Sequence, residues 1–182
     1  MAFNWFASLP NFITIARLVL TPAAISFIVD ENWRMAFAIF ATAAASDALD
    51  GWLARTFRLQ SELGAILDPI ADKALIVSIY VSLAILGVLP SWLTIMVVSR
   101  DVMIIGAVVI SWLMSRPVKV QPHLASKATT AAQLALAGVV LAGKAFGEQF
   151  FLLDAGLVGL VAALTVASTA VYLWLWFQHM RP

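Results

Sequence analysis

The stretch SDALDGWLARTFRLQSELGAILDPIADK, residues 46–73, holds four aspartates, one glutamate, two arginines and a lysine in an otherwise apolar chain. At 100° per residue along a helix, Asp47, Asp50, Gly51, Ala54 and Arg55 fall within about 140° of one another, so one face carries two acids, an arginine and two small residues. Gly64, Asp68 and Asp72 recur at i, i+4 and i+8 and form a second stripe. Where two such stripes meet, each pair of carboxylates repels by roughly 4 kcal/mol at 4 Å and an effective dielectric of 20. Protons or divalent cations must offset that repulsion, and carboxylate oxygens are hard ligands suited to Mg²⁺, Mn²⁺ or Ca²⁺. Gly51, Ala54 and Gly64 leave room for a ligand beside the acids, and the planar fork of Arg55 suits phosphate oxygens. The same acids would also serve as ion pairs between helices or as a cation pathway. Residue types and spacing therefore leave an enzyme, a divalent-cation transporter and a structural role all open.

The elements that must position these residues follow from composition. Hydrophobic residues make up 63% of the 182, charged residues only 12%, and mean hydropathy is +0.96, too apolar for a water-soluble domain of this size. The chain reads as an all-α integral membrane protein of one domain, residues 1–182, with six transmembrane helices. Apolar segments near 11–29, 34–54, 65–88, 92–114, 127–146 and 151–177 approach the ~20 residues that a bilayer crossing needs. LGVLPSW at 86–92 breaks a continuous apolar run through Gly87 and Pro90, and MSRPVKVQPHLAS at 114–126 is the extended polar loop. The first residues lack a basic region and a small-residue cleavage site, so no removable secretory signal is expected. With a net charge of +1 and no basic tail, no nucleic-acid partner is expected. The absence of cysteine excludes disulfides, thiolate metal sites and a cysteine nucleophile.

Orientation follows from the Lys/Arg bias. With the N-terminus inside, Arg55, Arg58, Arg116, Lys119, Lys127 and Arg181 lie on the cytoplasmic side and only Arg34 and Lys144 outside. Both termini are then cytoplasmic, all four aspartates share the inner leaflet, and a polar cavity opens there. The expected location is a bacterial plasma membrane in preference to the mitochondrial inner membrane.

Asp47-x-x-Asp50-Gly51-x-x-Ala54-Arg55, followed after eight residues by Gly64-x-x-x-Asp68-x-x-x-Asp72, is similar in every defined position to the signature of the CDP-alcohol phosphotransferase family. The resemblance spans nearly the whole chain and implies six membrane helices. It implies transfer of a phosphatidyl group from a CDP-linked lipid to an alcohol, with release of CMP. Carried over, Asp47, Asp50 and Asp68 would bind metal, and Asp72 would be a ligand, the general base or both. Asn11, Thr14, Gly51, Ala54, Arg55 and Gly64 would line the CDP-lipid site. Mg²⁺ or Mn²⁺ in a two-metal site, membrane lipids and a homodimeric assembly are implied in the same way.

The opening LPNFITIARLVLTP resembles the branch that holds phosphatidylglycerophosphate synthases and cardiolipin synthases. VSRDVMIIGAVV at 98–109 and ASKATTAAQL at 125–134 resemble the cardiolipin-forming members. Val108 and Thr129 stand where the glycerol-3-phosphate enzymes resemble one another in an arginine and a lysine. A dianionic acceptor would want both cations, whereas phosphatidylglycerol offers a singly charged diester. The resemblance thus implies CDP-diacylglycerol and phosphatidylglycerol as substrates, with glycerol 3-phosphate as the alternative acceptor. Arg17, Arg100, Arg116, Lys119 and Lys127 are candidates for acceptor or lipid-phosphate binding. Against this, Arg17 could snorkel to the interface, Arg100 could form a structural pair with Asp101, and the loop cations could be inside anchors. His123 carries no assignment. Trp5, Trp33, Trp92, Trp174 and Trp176 fit interfacial belts.

Overall fold

The computed structural model describes residues 5–57, 62–113, 124–147 and 151–180. Side chains at 5–14, 47–57, 62–70, 72, 108, 112, 124–125, 151–154 and 179–180 lie outside the described residues. The described residues form six helices and the turns between them: α1 (Trp5–Val29), α2 (Trp33–Phe57), α3 (Glu62–Ile85), α4 (Ser91–Leu113), α5 (Leu124–Phe146) and α6 (Phe151–Met180). Continuous helices are the form an apolar chain must take in lipid, because every backbone N–H and C=O finds its partner within the segment. Stretches of α4, α5 and α6, namely Ser91–Ser111, Ser126–Phe146 and Ala155–Gln178, are long and apolar enough to cross a membrane, by length and composition. In α1 and α3 the apolar parts are the shorter Ile15–Val29 and Lys73–Ile85.

Each expected segment is present, with shifted ends. α1 begins at Trp5, so Pro10 lies within its second turn, where the lost N–H removes one early hydrogen bond. α3 stops at Ile85, short of the expected 88. Gly87 adopts φ +69° there, its N–H donates to Ala84 O at 3.0 Å and the Val88 N–H donates to Leu83 O at 2.8 Å. These bonds satisfy the last carbonyls of the helix in a Schellman turn. The α1–α2 turn has the same pattern with Glu31 in the left-handed position (φ +54°), and the Asn32 N–H donates to Phe27 O at 2.8 Å. Asn32 Oδ1 then accepts from the Met35 N–H at 3.4 Å, capping α2.

The helices pack as a ring whose order differs from the chain order: α1 on α2, α2 on α5, α5 on α6, α6 on α4, α4 on α3 and α3 back on α1, with α3 also touching α5 across the centre. Phe40, Leu75, Ile79, Tyr80, Leu83, Leu93, Val97, Leu136, Leu141 and Val161 form the buried core. Tyr80 Oη donates to the Gln133 carbonyl at 3.0 Å and ties α3 to α5. Arg34 Nε donates to Ala145 O at 3.3 Å and Lys144 Nζ lies 5.5 Å from the Trp33 ring centroid, so the α1–α2 turn and the end of α5 share one end of the bundle. Val19, Ile85, Leu113 and Trp174 are all more than 60% exposed, an apolar exterior suited to lipid.

Candidate active site

The helical backbone of α2 and α3 runs through every signature position, and both helices pack on α1. The side chains of Asp47, Asp50, Gly51, Ala54, Arg55, Gly64, Asp68 and Asp72 lie outside the described residues, as do those of Asn11, Thr14, Arg116 and Lys119. What surrounds them is described. A cavity of about 40 Å³ is lined by Arg17 of α1, Ala43 and Ala44 of α2, Leu75 and Ile76 of α3, and Thr130 and Leu134 of α5. Ala43 and Ala44 lie one helical turn, about 5.4 Å, before Asp47, and Leu75 and Ile76 one turn after Asp72. The cavity therefore sits just inward of the acid positions, and its two alanines provide the space.

Arg17 is 3% exposed, with its carbonyl accepting from Thr21 Oγ1 at 2.9 Å. The side chain is covered by protein and does not lie open on the outer surface of the bundle. A guanidinium inside the bundle places positive charge beside the cavity and next to the acid end.

Arg100 and Asp101 form the ion pair that their sequence position allowed. Arg100, 2% exposed, places Nη1 2.6 Å from Asp101 Oδ1 and donates from Nη2 to Ser126 Oγ and Ser168 Oγ, each at 2.8 Å. Its guanidinium carbon lies 5.9 Å from the Tyr172 ring centroid. One side chain of α4 thus gathers α5 and α6. Lys73 joins the same carboxylate, 2.8 Å from Oδ1 and 2.7 Å from Oδ2, and adds α3. Sequence reasoning passed over Lys73 because its neighbours in the stretch were acids. The available signal was a lysine and an aspartate standing in successive apolar segments, where each would need the other.

Thr129 is wholly buried and its Oγ1 donates to Leu164 O at 3.2 Å, between α5 and α6. The Val108 side chain lies outside the described residues. Lys127 is exposed near the start of α5. Trp176 does more than mark an interface: Nε1 donates to Ser111 Oγ at 2.8 Å and joins α6 to α4.

A family model described as CDP-alcohol phosphatidyltransferase matches residues 7–177. The chain is 33% identical to a human cardiolipin synthase (CMP-forming) over 96% of its own length and 62% of the relative's. It is 36% identical to a probable cardiolipin synthase (CMP-forming) of Drosophila melanogaster over 90% of the chain and 56% of that protein. It is also 33% identical to a chloroplastic CDP-diacylglycerol–glycerol-3-phosphate 3-phosphatidyltransferase of rice, Oryza sativa subsp. japonica, over 97% of the chain and 59% of that protein. The chain spans about three fifths of the length of these relatives.

Proposed function

The chain belongs to the CDP-alcohol phosphatidyltransferase family, and from that premise we propose that it joins CDP-diacylglycerol to phosphatidylglycerol, giving cardiolipin and CMP. The observation that carries the acceptor choice is the likeness to the human and Drosophila cardiolipin synthases over 96% and 90% of the chain. Thr129, where the glycerol-3-phosphate enzymes are expected to hold a lysine, is a neutral hydroxyl hydrogen-bonded to the α6 backbone and lies outside the cavity lining.

Asp47, Asp50, Asp68 and Asp72 are assigned to hold Mg²⁺ or Mn²⁺. An all-carboxylate donor set suits these hard cations, and the small side chains of Ala43 and Ala44 beside the cavity leave space inward of the acids. Bound divalent cations would offset the charge of the diphosphate. Arg55 grips the diphosphate oxygens through its two-pronged donor set. Asp72 accepts the proton from the free glycerol hydroxyl of phosphatidylglycerol. That oxygen forms a bond to the phosphorus bearing the diacylglycerol, the bond from this phosphorus to the oxygen of the CMP moiety breaks, and CMP leaves with the electron pair. Arg17 adds positive charge beside the same space. The functional unit is assigned as a homodimer, and the active face as cytoplasmic.

The rice relative favours a second reading, with glycerol 3-phosphate as acceptor. The deciding experiment gives purified chain CDP-diacylglycerol with each acceptor separately and identifies the product. Cardiolipin is the expected product; phosphatidylglycerophosphate formed in preference would replace the reading. Metal movement into sealed vesicles without CMP release would point to a transporter instead.

A further inference from the structure

Two cations share one carboxylate inside the bundle. Arg100 is buried, approaches Asp101 most closely at 2.6 Å, and spends its other terminal nitrogen on Ser126 and Ser168. That pair is self-neutralising. Lys73 is also in contact with Asp101, and among the described residues no second carboxylate pairs with it. Its side chain remains 33% exposed, against 7% for Asp101. An ammonium held on one side by a carboxylate and exposed over a third of its side chain keeps an open side that suits a polar ligand. An ammonium has three N–H donors; Asp101 occupies at most two and fixes where the remaining donor points. Lys73 also directly follows Asp72 in the chain, at the level where the acceptor hydroxyl is to react.

We propose that Lys73, steered by Asp101, binds the phosphodiester of the anionic acceptor lipid. This rests on the phosphatidyltransferase reading above and names a residue for its acceptor. Among the described residues, Arg100, Lys73 and Asp101 sum to one positive charge, equal to the single negative charge of a diester and one short of the two of a phosphomonoester. The diphosphate of CDP-diacylglycerol presents the same chemistry, so the test must separate the two substrates.

The test measures CMP release by the full chain in micelles, varying each substrate in turn, for wild type and Lys73→Gln. Folding should survive in the variant because Asp101 keeps Arg100 as its partner. The KM for phosphatidylglycerol should rise roughly tenfold or more, the loss of one hydrogen bond between charged groups, with the KM for CDP-diacylglycerol within twofold of wild type. A rise confined to CDP-diacylglycerol, an equal rise in both, or no rise overturns the assignment. If Lys73→Gln is not recovered folded, Lys73→Arg, which keeps the ion pair, decides alone. Its broader donor fork should change the acceptor KM at least threefold and leave the other unchanged; no such split overturns the proposal. If wild type uses glycerol 3-phosphate and not phosphatidylglycerol, the proposed acceptor falls, and the same KM comparison on glycerol 3-phosphate still decides Lys73.

Discussion

Asp47, Asp50, Asp68 and Asp72 differ from asparagine by one charge and hardly at all in shape, which makes the single substitutions informative. Each Asp→Asn change should lower CMP release at least about a hundredfold, equivalent to roughly 2.7 kcal/mol of transition-state stabilisation, while size-exclusion profiles stay unchanged. Near-normal rates in both Asp47→Asn and Asp50→Asn would remove those two from the ligand set. Arg55→Lys keeps the charge and loses the bidentate geometry. It should raise the KM for CDP-diacylglycerol about tenfold while the Mg²⁺ concentration giving half-maximal rate stays the same. Unchanged affinity for the CDP-lipid would return Arg55 to the role of an inside anchor.

At the scale of helices, the placement of Thr129 changes what an acceptor-switching experiment can be. Introducing Arg at Val108 and Lys at Thr129 is the substitution the sequence suggests for admitting glycerol 3-phosphate. With Thr129 wholly buried between α5 and α6, a lysine there strands a charge in the interface at about 3 kcal/mol or more. Thr129→Lys should therefore reduce the yield of folded protein and lower its thermal midpoint, while Thr129→Ser, which keeps the hydroxyl, should not; a stable, monodisperse Thr129→Lys protein would contradict the placement. The α2–α5 contact is similarly tight. A Cβ added at Gly138 would lie 3.3 Å from Phe40 Cε1, so Gly138→Ala needs only a small shift of the ring, whereas Gly138→Leu should destabilise the bundle by about 1–3 kcal/mol. Thermal unfolding in detergent of the two variants checks the order.

For the whole molecule, the reaction depends on which acceptor charge the site can compensate. With Val108 standing where the glycerol-3-phosphate enzymes are expected to hold an arginine, the chain should prefer phosphatidylglycerol over glycerol 3-phosphate by roughly one to two powers of ten in kcat/KM, from about 1.5–3 kcal/mol for one missing charged hydrogen bond. Competition between the two acceptors at fixed metal and CDP-diacylglycerol measures the ratio. A ratio below one would favour the glycerol-3-phosphate reading. The ring arrangement explains how such selectivity can be built: α1, α2, α3 and α5 line the cavity beside the acids, while α4 and α6 brace α3 and α5 from behind through Arg100, Asp101 and Lys73.

Six helices, their approximate ends and the acid signature were all legible in the sequence, because each rests on local properties: apolar runs that approach bilayer length, Gly87 and Pro90 as breakers, and carboxylates at helical spacing. The family followed from the same local pattern. Spatial order was not legible. Nothing in the sequence placed α1 against both acid-bearing helices or α5 across from them, since an apolar helix surface fits many neighbours and only simultaneous packing selects one ring. Buried polar groups depend on that choice. Arg17 could equally have reached the interface, and the acids nearest Lys73 in the chain are Asp68 and Asp72. Tertiary packing decided that Arg17 is enclosed, that Lys73 pairs with Asp101 twenty-eight positions away, and that Thr129 faces the α6 backbone, because a polar group in a low-dielectric interior is held by whichever complementary group the fold brings within hydrogen-bond reach.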